Sequence, residues 1–377
     1  MINANAKIPS LQAQMQWIAG QPQLAQEPTA RMMYDFNNTN NTLVTETGFL
    51  PGVEEANSAK QEATICDPET GNFVLFFDGN YIYDGFANKV NPNNKLNTLR
   101  GSSLTSLIVP SSEYIIPTYY VFYVDDETNH INYGIVNFPA GRQSAANWVG
   151  INSLDIENGN ATPLGLACRN EKESWVLALS NADTLVAYKC DETGVNTTAP
   201  VHIMLQPFTL LSGQVDCSNS SIVTFGDNIA ITVNNNIMVG KFNFTSGFAI
   251  PTSTQALVSK STTTLAPDFN ASGTRLYYLK KWDRKYQNQV WIYELNSGAS
   301  YSADTSYEYY NQYKTLKLAP NGIVYGIDEY TTLARGDLIL SIEEIPETGN
   351  VTISEPVIQN FNSSRTFGNI QYQINTF

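Results

Sequence analysis

At 377 residues, with 42% apolar and only 15% charged side chains, the chain can bury a large core, and all-β architectures often spend this length on one domain. The 21 basic against 35 acidic residues leave a formal charge of −14, which disfavours nucleic acid and anionic membrane surfaces as partners. No window approaches the ~18 consecutive apolar residues of a membrane-spanning helix, and the 21 Tyr and 17 Phe in an Asn-, Thr- and Ser-rich chain suit strands and turns.

Residues 1–31 are expected to form an N-terminal arm. MINANAKIPSLQAQMQWIAG lacks the basic start and apolar run of an export leader, so the chain is expected to be made in the cytoplasm without a signal peptide. Ser10 can cap a short helix over residues 11–19, with Leu11, Met15 and Ile18 on one face and Gly20 and Pro22 ending it. Such a helix is too short to stand alone. It either packs on its own domain or docks on a partner through Leu11, Met15, Trp17 and Ile18, and both readings stand.

From residue 32 the pattern is strand, turn, strand. ATICD, NFVLFFDG, YIYDG, TYYVFYVDD, INYGIVNF, SWVLALS, TLVAYKCD, IVTFGD, IAITV, RLYYLKKW and QVWIYEL read as successive short strands between turn residues. In the second half, turn glycines fall at Gly247, Gly273, Gly298, Gly322 and Gly349, with gaps of 26, 25, 24 and 27. Two such turns per unit give a repeat of about 50 residues, the size of a four-stranded blade, so residues 32–377 are expected to form a β-propeller of about seven blades. A ring of blades must close, and MMYDF near residue 32 and the terminal QYQINTF are the expected seam.

Chemistry-bearing motifs are sparse. There is no G-x-S-x-G elbow, HExxH or phosphate loop, and the two histidines, His130 and His202, have no partner in sequence. Cys66, Cys168, Cys190 and Cys217 form no CxxC pair and are expected as free thiols in strands. No metal or cofactor is expected. Asp78 and Asp84, each followed by glycine, read as turn residues rather than a glycosidase pair. Asp125, Asp126 and Glu127 lack the alternation of a calcium loop. Two surface candidates remain. YLKKWDRKY sets Lys280, Lys281, Arg284 and Lys285 around Trp282, a patch for an anionic partner or for a sugar stacked on the indole. YSADTSYEYYNQY clusters Tyr301, Tyr307, Tyr309, Tyr310 and Tyr313, as binding loops do. Both also fit ordinary hairpin packing.

Several of these segments together carry a resemblance. QEATICDPETGNFVLFFDGNYIYD, SLIVPSSEYIIPTYYVFYVDD, INYGIVNF, ESWVLALS, LAPDFNASGTRLYYL, LKLAPNGIVYGI and FGNIQYQINTF resemble segments of the secreted β-propellers of gliding bacteria associated with gliding motility and type IX secretion. The resemblance spans nearly the whole chain after the arm and implies the propeller fold. Members of that group usually carry an export leader and often a sorting domain, and neither is evident here. The expected role is therefore a non-catalytic structural or adaptor propeller of a larger particle, such as a phage virion or tail. A glycan- or receptor-binding module and a part or cargo of a phage-like injection system are the alternatives, with an enzyme at a central channel ranked last. Partners are expected to be other proteins of the particle, or a surface glycan or receptor, and not nucleic acid.

Overall fold

A computed structural model of the chain describes residues 16–19, 32–35, 44–47, 63–67, 70–98, 106–111, 116–128, 130–154, 164–170, 173–181, 184–191, 193–204, 221–233, 236–251, 267–281, 288–303, 313–319, 321–328, 337–344, 351–353 and 358–361. Among these residues the secondary structure is all β, without a helix.

The strands fall, in chain order, into seven antiparallel sheets of three to five strands. The first holds β1 (Gln16–Ala19), β2 (Met32–Asp35) and β3 (Val44–Thr47), and the second β4 (Ala63–Cys66), β5 (Phe73–Phe77) and β6 (Ile82–Asp84). The third runs β7 (Ser106–Pro110), β8 (Thr118–Val124), β9 (Ile131–Asn137) and β10 (Asn147–Leu154). In the fourth, β11 (Leu164–Asn170), β12 (Glu173–Asn181) and β13 (Thr184–Asp191) are followed by β14 (Gly194–Val195) and β15 (Val201–Met204), both paired to β13. The fifth is β16 (Ser221–Phe225), β17 (Asn228–Val233), β18 (Asn236–Asn243) and β19 (Phe248–Pro251). The sixth is β20 (Asp268–Phe269), β21 (Arg275–Lys281), β22 (Asn288–Glu294) and β23 (Ser300–Ser302). The seventh is β24 (Tyr313–Leu318), β25 (Val324–Asp328), β26 (Asp337–Glu344), β27 (Val351–Ile353) and β28 (Ile358–Phe361), the last two both on β26.

Successive sheets meet through their first strands. β1 touches β4, β4 touches β7, β7 touches β11, β11 touches β16, β16 touches β20, and β20 touches β24. This succession of local sheets, each packed on the next, is a propeller-like architecture. Burial follows from it. Strands such as FVLFF and TYYVFYV are buried almost throughout because a neighbouring sheet covers each of their faces, and they read as continuous apolar runs instead of alternating ones. The last strands of the third and sixth sheets, β10 and β23, are mostly open to solvent, whereas β6 of the second is buried. At one contact between sheets, Ile222 of β16 fills the space where a Gly165 side chain of β11 would stand; within the third sheet, the Trp148 ring of β10 does the same over Gly134 of β9.

The glycine series has a structural origin. Gly273 and Gly322 lie in turns between first and second strands, and Gly247 and Gly298 in turns between third and fourth strands. All four have positive φ, at +72° for Gly247 and +64° for Gly273, a region that costs glycine nothing. Antiparallel meandering puts both kinds of turn at the same end of every sheet, and contacts between sheets at that end agree: Trp175 Nε1 donates to the Phe244 carbonyl at 3.0 Å, and Asn228 Nδ2 to the Gly273 carbonyl at 2.8 Å. The gaps near 25 residues therefore mark half-units. Gly349 lies outside the described residues.

Two sequence expectations are corrected here. The helix over residues 11–19 does not form at 16–19, which are strand β1, paired with β2 in the register Trp17 to Tyr34 and Ile18 to Met33. An aromatic and a β-branched residue suit that pleated pairing, and β2 offers the edge that an isolated arm would lack. MMYD does not provide an open seam edge, because β2 is paired on one side to β1 and on the other to β3. The terminal QYQINTF lies outside the described residues.

Candidate functional site

The sixth sheet carries chemistry at both of its ends. Its two long strands, β21 and β22, are held in register from Arg275 opposite Glu294 to Lys281 opposite Asn288. At ~3.4 Å per residue, Arg275 and Lys281 stand roughly 20 Å apart.

At the turn end, Arg275 is the centre of a polar cluster. Its Nε lies 2.8 Å from Glu294 Oε1 and its Nη1 3.6 Å from Glu344 Oε1 of the seventh sheet. Tyr277 donates its hydroxyl to Glu344 Oε1 at 2.6 Å, Asn270 Nδ2 donates to the same oxygen at 2.8 Å, and Tyr301 donates to Glu294 Oε1 at 2.6 Å. Burial works to lower the Arg275 pKa, but the carboxylates of Glu344 and Glu294 outweigh it and the net shift is upward. Burial, then the bond to Glu344, pushes the Tyr277 phenol up. Burial, then the bond to Glu294, pushes Tyr301 up to about 12. Both glutamates spend an oxygen on holding the guanidinium and a phenol. The arrangement clamps the seventh sheet onto the sixth, and does not leave a paired acid and base. A second clamp lies nearby: Lys317 Nζ is 3.2 Å from Asp268 Oδ2, which also accepts the Leu318 N–H at 2.9 Å, and both side chains are buried.

At the opposite end, the Lys280 ammonium sits over the Trp291 ring, 3.9 Å from its centroid. Trp291 is directly opposite Tyr278 and diagonal to Lys280 across the β21–β22 pair, the relation that lets side chains on one sheet face meet. The indole is tilted 42° on Tyr278 at 6.5 Å and packs against the core. Tyr278 is in turn fixed by a 2.6 Å bond between its hydroxyl and Ser300 Oγ. Lys280 has no carboxylate within ion-pair reach among the described residues. An ammonium held in this way, with no described carboxylate on it, can receive an anion.

The remaining candidates from sequence sort as follows. Lys281 ends β21, while Trp282, Arg284 and Lys285 lie outside the described residues, as do Tyr307, Tyr309, Tyr310, Leu11 and Met15. Tyr313 begins β24 opposite Asp328, and Trp17 and Ile18 lie in β1; the side chains of these three are not described. Asp78 is a buried turn residue whose Oδ1 accepts the N–H groups of Asn80 and Tyr81 at 2.7 and 2.6 Å. Asp84 is buried too, accepting from Phe86 and Asn88 at 3.0 and 2.9 Å and, across the sheets, from Ala146 at 3.4 Å. Asp125 caps its own turn through Glu127 and Thr128. Among the described residues no group of three His, Cys, Asp or Glu could hold a metal ion. His130 and His202 are exposed. Burial, then the neighbouring Cys190, pushes the Cys168 thiol well up; burial, then Asp191, pushes Cys190 up to about 12.

Sequence reasoning missed Trp291 and the Arg275 cluster. Once the Gly273 and Gly298 turns set the register, Arg275 opposite Glu294 and Trp291 beside Lys280 follow from counting. Glu344 does not, because it arrives from another sheet.

No protein-family model matches the chain, and no curated protein sequence is similar to it. Solved structures similar to it include the complex of the fission yeast SREBP–SCAP binding domains, at 9% identity over 83% of this chain and 91% of that one, with a TM-score of 0.49. Kluyveromyces lactis Hsv2 is 10% identical over 93% of this chain and 96% of that one, with a TM-score of 0.46. Porphyromonas gingivalis dipeptidyl peptidase 4 is 11% identical over 90% of this chain and 50% of that one, with a TM-score of 0.43. None of these likenesses assigns an activity to the chain.

Proposed function

We propose that the seven sheets are the blades of one closed β-propeller, and that this propeller is a non-catalytic adaptor, binding other proteins within a larger particle. One observation carries the functional part: the Lys280 ammonium, fixed on Trp291 3.9 Å from the ring centroid, stands without a carboxylate partner among the described residues in a chain of net charge −14. A cation kept unpaired in such a chain gives up an easily available ion pair, which makes sense where the counter-charge comes from a partner. The clamps at the turn end support the same reading, since their charged groups are spent on holding sheets together.

The particle named by the sequence expectation, a phage virion or tail, is the first preparation to test. Native mass spectrometry of the purified particle should find the chain at a fixed stoichiometry with defined neighbours. A chain that always runs as a lone monomer, at every stage of purification, would remove the adaptor reading.

A further inference from the structure

We infer that two copies of this chain pair through the outer edge of β10, antiparallel and about a two-fold axis, joining two four-stranded sheets into one of eight strands. β10 is an unusual edge for this molecule. It is eight residues long, whereas among the described residues the last strands of the other six sheets run four residues or fewer. Short strands and edge charges are how sheets avoid pairing with other chains, and β10 has neither protection: the twelve residues from Gln143 to Leu154 include no Asp, Glu, Lys or Arg. Five of its eight residues are exposed, and among the described residues it is hydrogen-bonded to β9 alone. Val149 and Ile151 present apolar side chains to solvent at 56% and 48% exposure.

An edge of this kind is completed by another extended strand, which satisfies its outward N–H and C=O groups. A second β10 suits it on two counts. Its order is already in place, because β9 holds it in register from Gly150 to Leu154 and the Trp148 ring packs over Gly134; a loose peptide would lose its chain entropy on pairing. Charge points the same way. Two copies at −14 each repel wherever their acidic surfaces meet, but screening limits that repulsion to about 8 Å, and an uncharged strand brings no like charges opposite one another. The pairing with β9 shifts between Trp148 and Gly150, so the axis falls beyond the shift, on Ile151, the middle of a stretch from Val149 to Ser153 in which four of five residues are exposed. Ile151 then faces its own copy, Gly150 faces Asn152, and Val149 faces Ser153.

Sedimentation equilibrium of the full chain between about 1 and 100 μM, a range that suits a small interface, should show a reversible dimer. Ile151→Lys sets two ammonium groups opposite each other and should weaken the dimer at least about tenfold. Phe248→Lys, on the fifth sheet at a similar 49% exposure, should leave it unchanged, and thermal melts check that both variants are folded. Ile151→Cys should give a disulfide-linked dimer with copper phenanthroline as oxidant, since residues directly opposite lie within disulfide reach, while the native chain treated alike should not. A native chain that stays monomeric throughout, a dimer that survives Ile151→Lys, or one that Phe248→Lys also dissolves would overturn the pairing. So would a benzophenone carried on Ile151→Cys that couples, in the particle, only to a different protein, because the edge would then hold a foreign strand. The sedimentation test uses the isolated chain, so a monomer there leaves the mass-spectrometric test of the adaptor role standing, and a dimer there does not supply the different neighbours that the adaptor role requires.

Discussion

Replacing Gly247 with alanine probes both the turn geometry and the packing of one sheet on the next. Gly247 has φ +72°, and a Cβ placed there would stand 2.5 Å from Cζ3 and 2.7 Å from Cη2 of Trp175. Trp175 cannot easily give way, being 4% exposed and bonded through Nε1 to the Phe244 carbonyl. The left-handed conformation costs an alanine about 1–2 kcal/mol, forcing atoms into a packed contact about 1–3 kcal/mol, and loss of the indole hydrogen bond about 1 kcal/mol. The expected destabilisation is roughly 3–6 kcal/mol if all three act and about 2–5 kcal/mol if the indole keeps its bond, in either case above the conformational cost alone. Gly141 supplies the control: its φ is +98°, yet a Cβ there would meet nothing within 4 Å, so Gly141→Ala should lose only the conformational cost, about 1–2 kcal/mol. Urea denaturation followed by tryptophan fluorescence measures both variants, with the comparison between them cancelling any departure from two-state behaviour they share. If Gly247→Ala loses no more than Gly141→Ala, the fourth and fifth sheets do not meet as described.

Further outcomes follow from the same structure. Burial, then the nearby Asp125, pushes Tyr123 up to about 12 from an ordinary 10.0. Its folded value lies above its unfolded one, so the stability it confers is whole below pH 10 and lost as pH rises towards 12. Absorbance titration at alkaline pH should show a late class of tyrosines that merges with the rest once the protein is unfolded; a single class near the ordinary value in the folded protein would contradict this. Cys168 and Cys190 both pair with Ser174, from opposite sides. They lie two strand spacings apart, about 9.5 Å, and cannot form a disulfide without moving the sheet. Alkylation should label neither in the folded state and both after unfolding without reductant, and a bond between them in peptide mapping would refute the register. Asp268→Ala strands the buried Lys317 ammonium and should cost about 3–5 kcal/mol, while Asp268→Asn combined with Lys317→Met should cost less than Asp268→Ala alone. A double variant as unstable as Asp268→Ala would show that the pair is not coupled.

Much of the fold was readable because its signals are local. The half-unit glycine series follows from turns that need positive φ, and runs such as TYYVFYV announce strands covered on both faces. What escaped depends on distant partners. The segment over residues 11–19 has an acceptable helical face, and only the edge offered by β2 turns QWIA into a strand. The basic run was visible as charge, but the contact that fixes Lys280 comes from Trp291, eleven residues along and on the facing strand. The Arg275 cluster was hidden for a similar reason, since Glu344 reaches it from the next sheet. Asp78 and Asp84 were correctly read as turn residues because Asp-Gly pairs act through their own backbone.

The adaptor role is tested most directly by zero-length carbodiimide coupling on the intact particle, which joins lysines to carboxylates only where they touch. Intermolecular links are expected from Lys280 to aspartates or glutamates of a neighbouring protein, and their loss in a particle assembled with Lys280→Gln. Links to neighbours that arise only from other lysines, with Lys280 uncoupled, would contradict the role assigned to it.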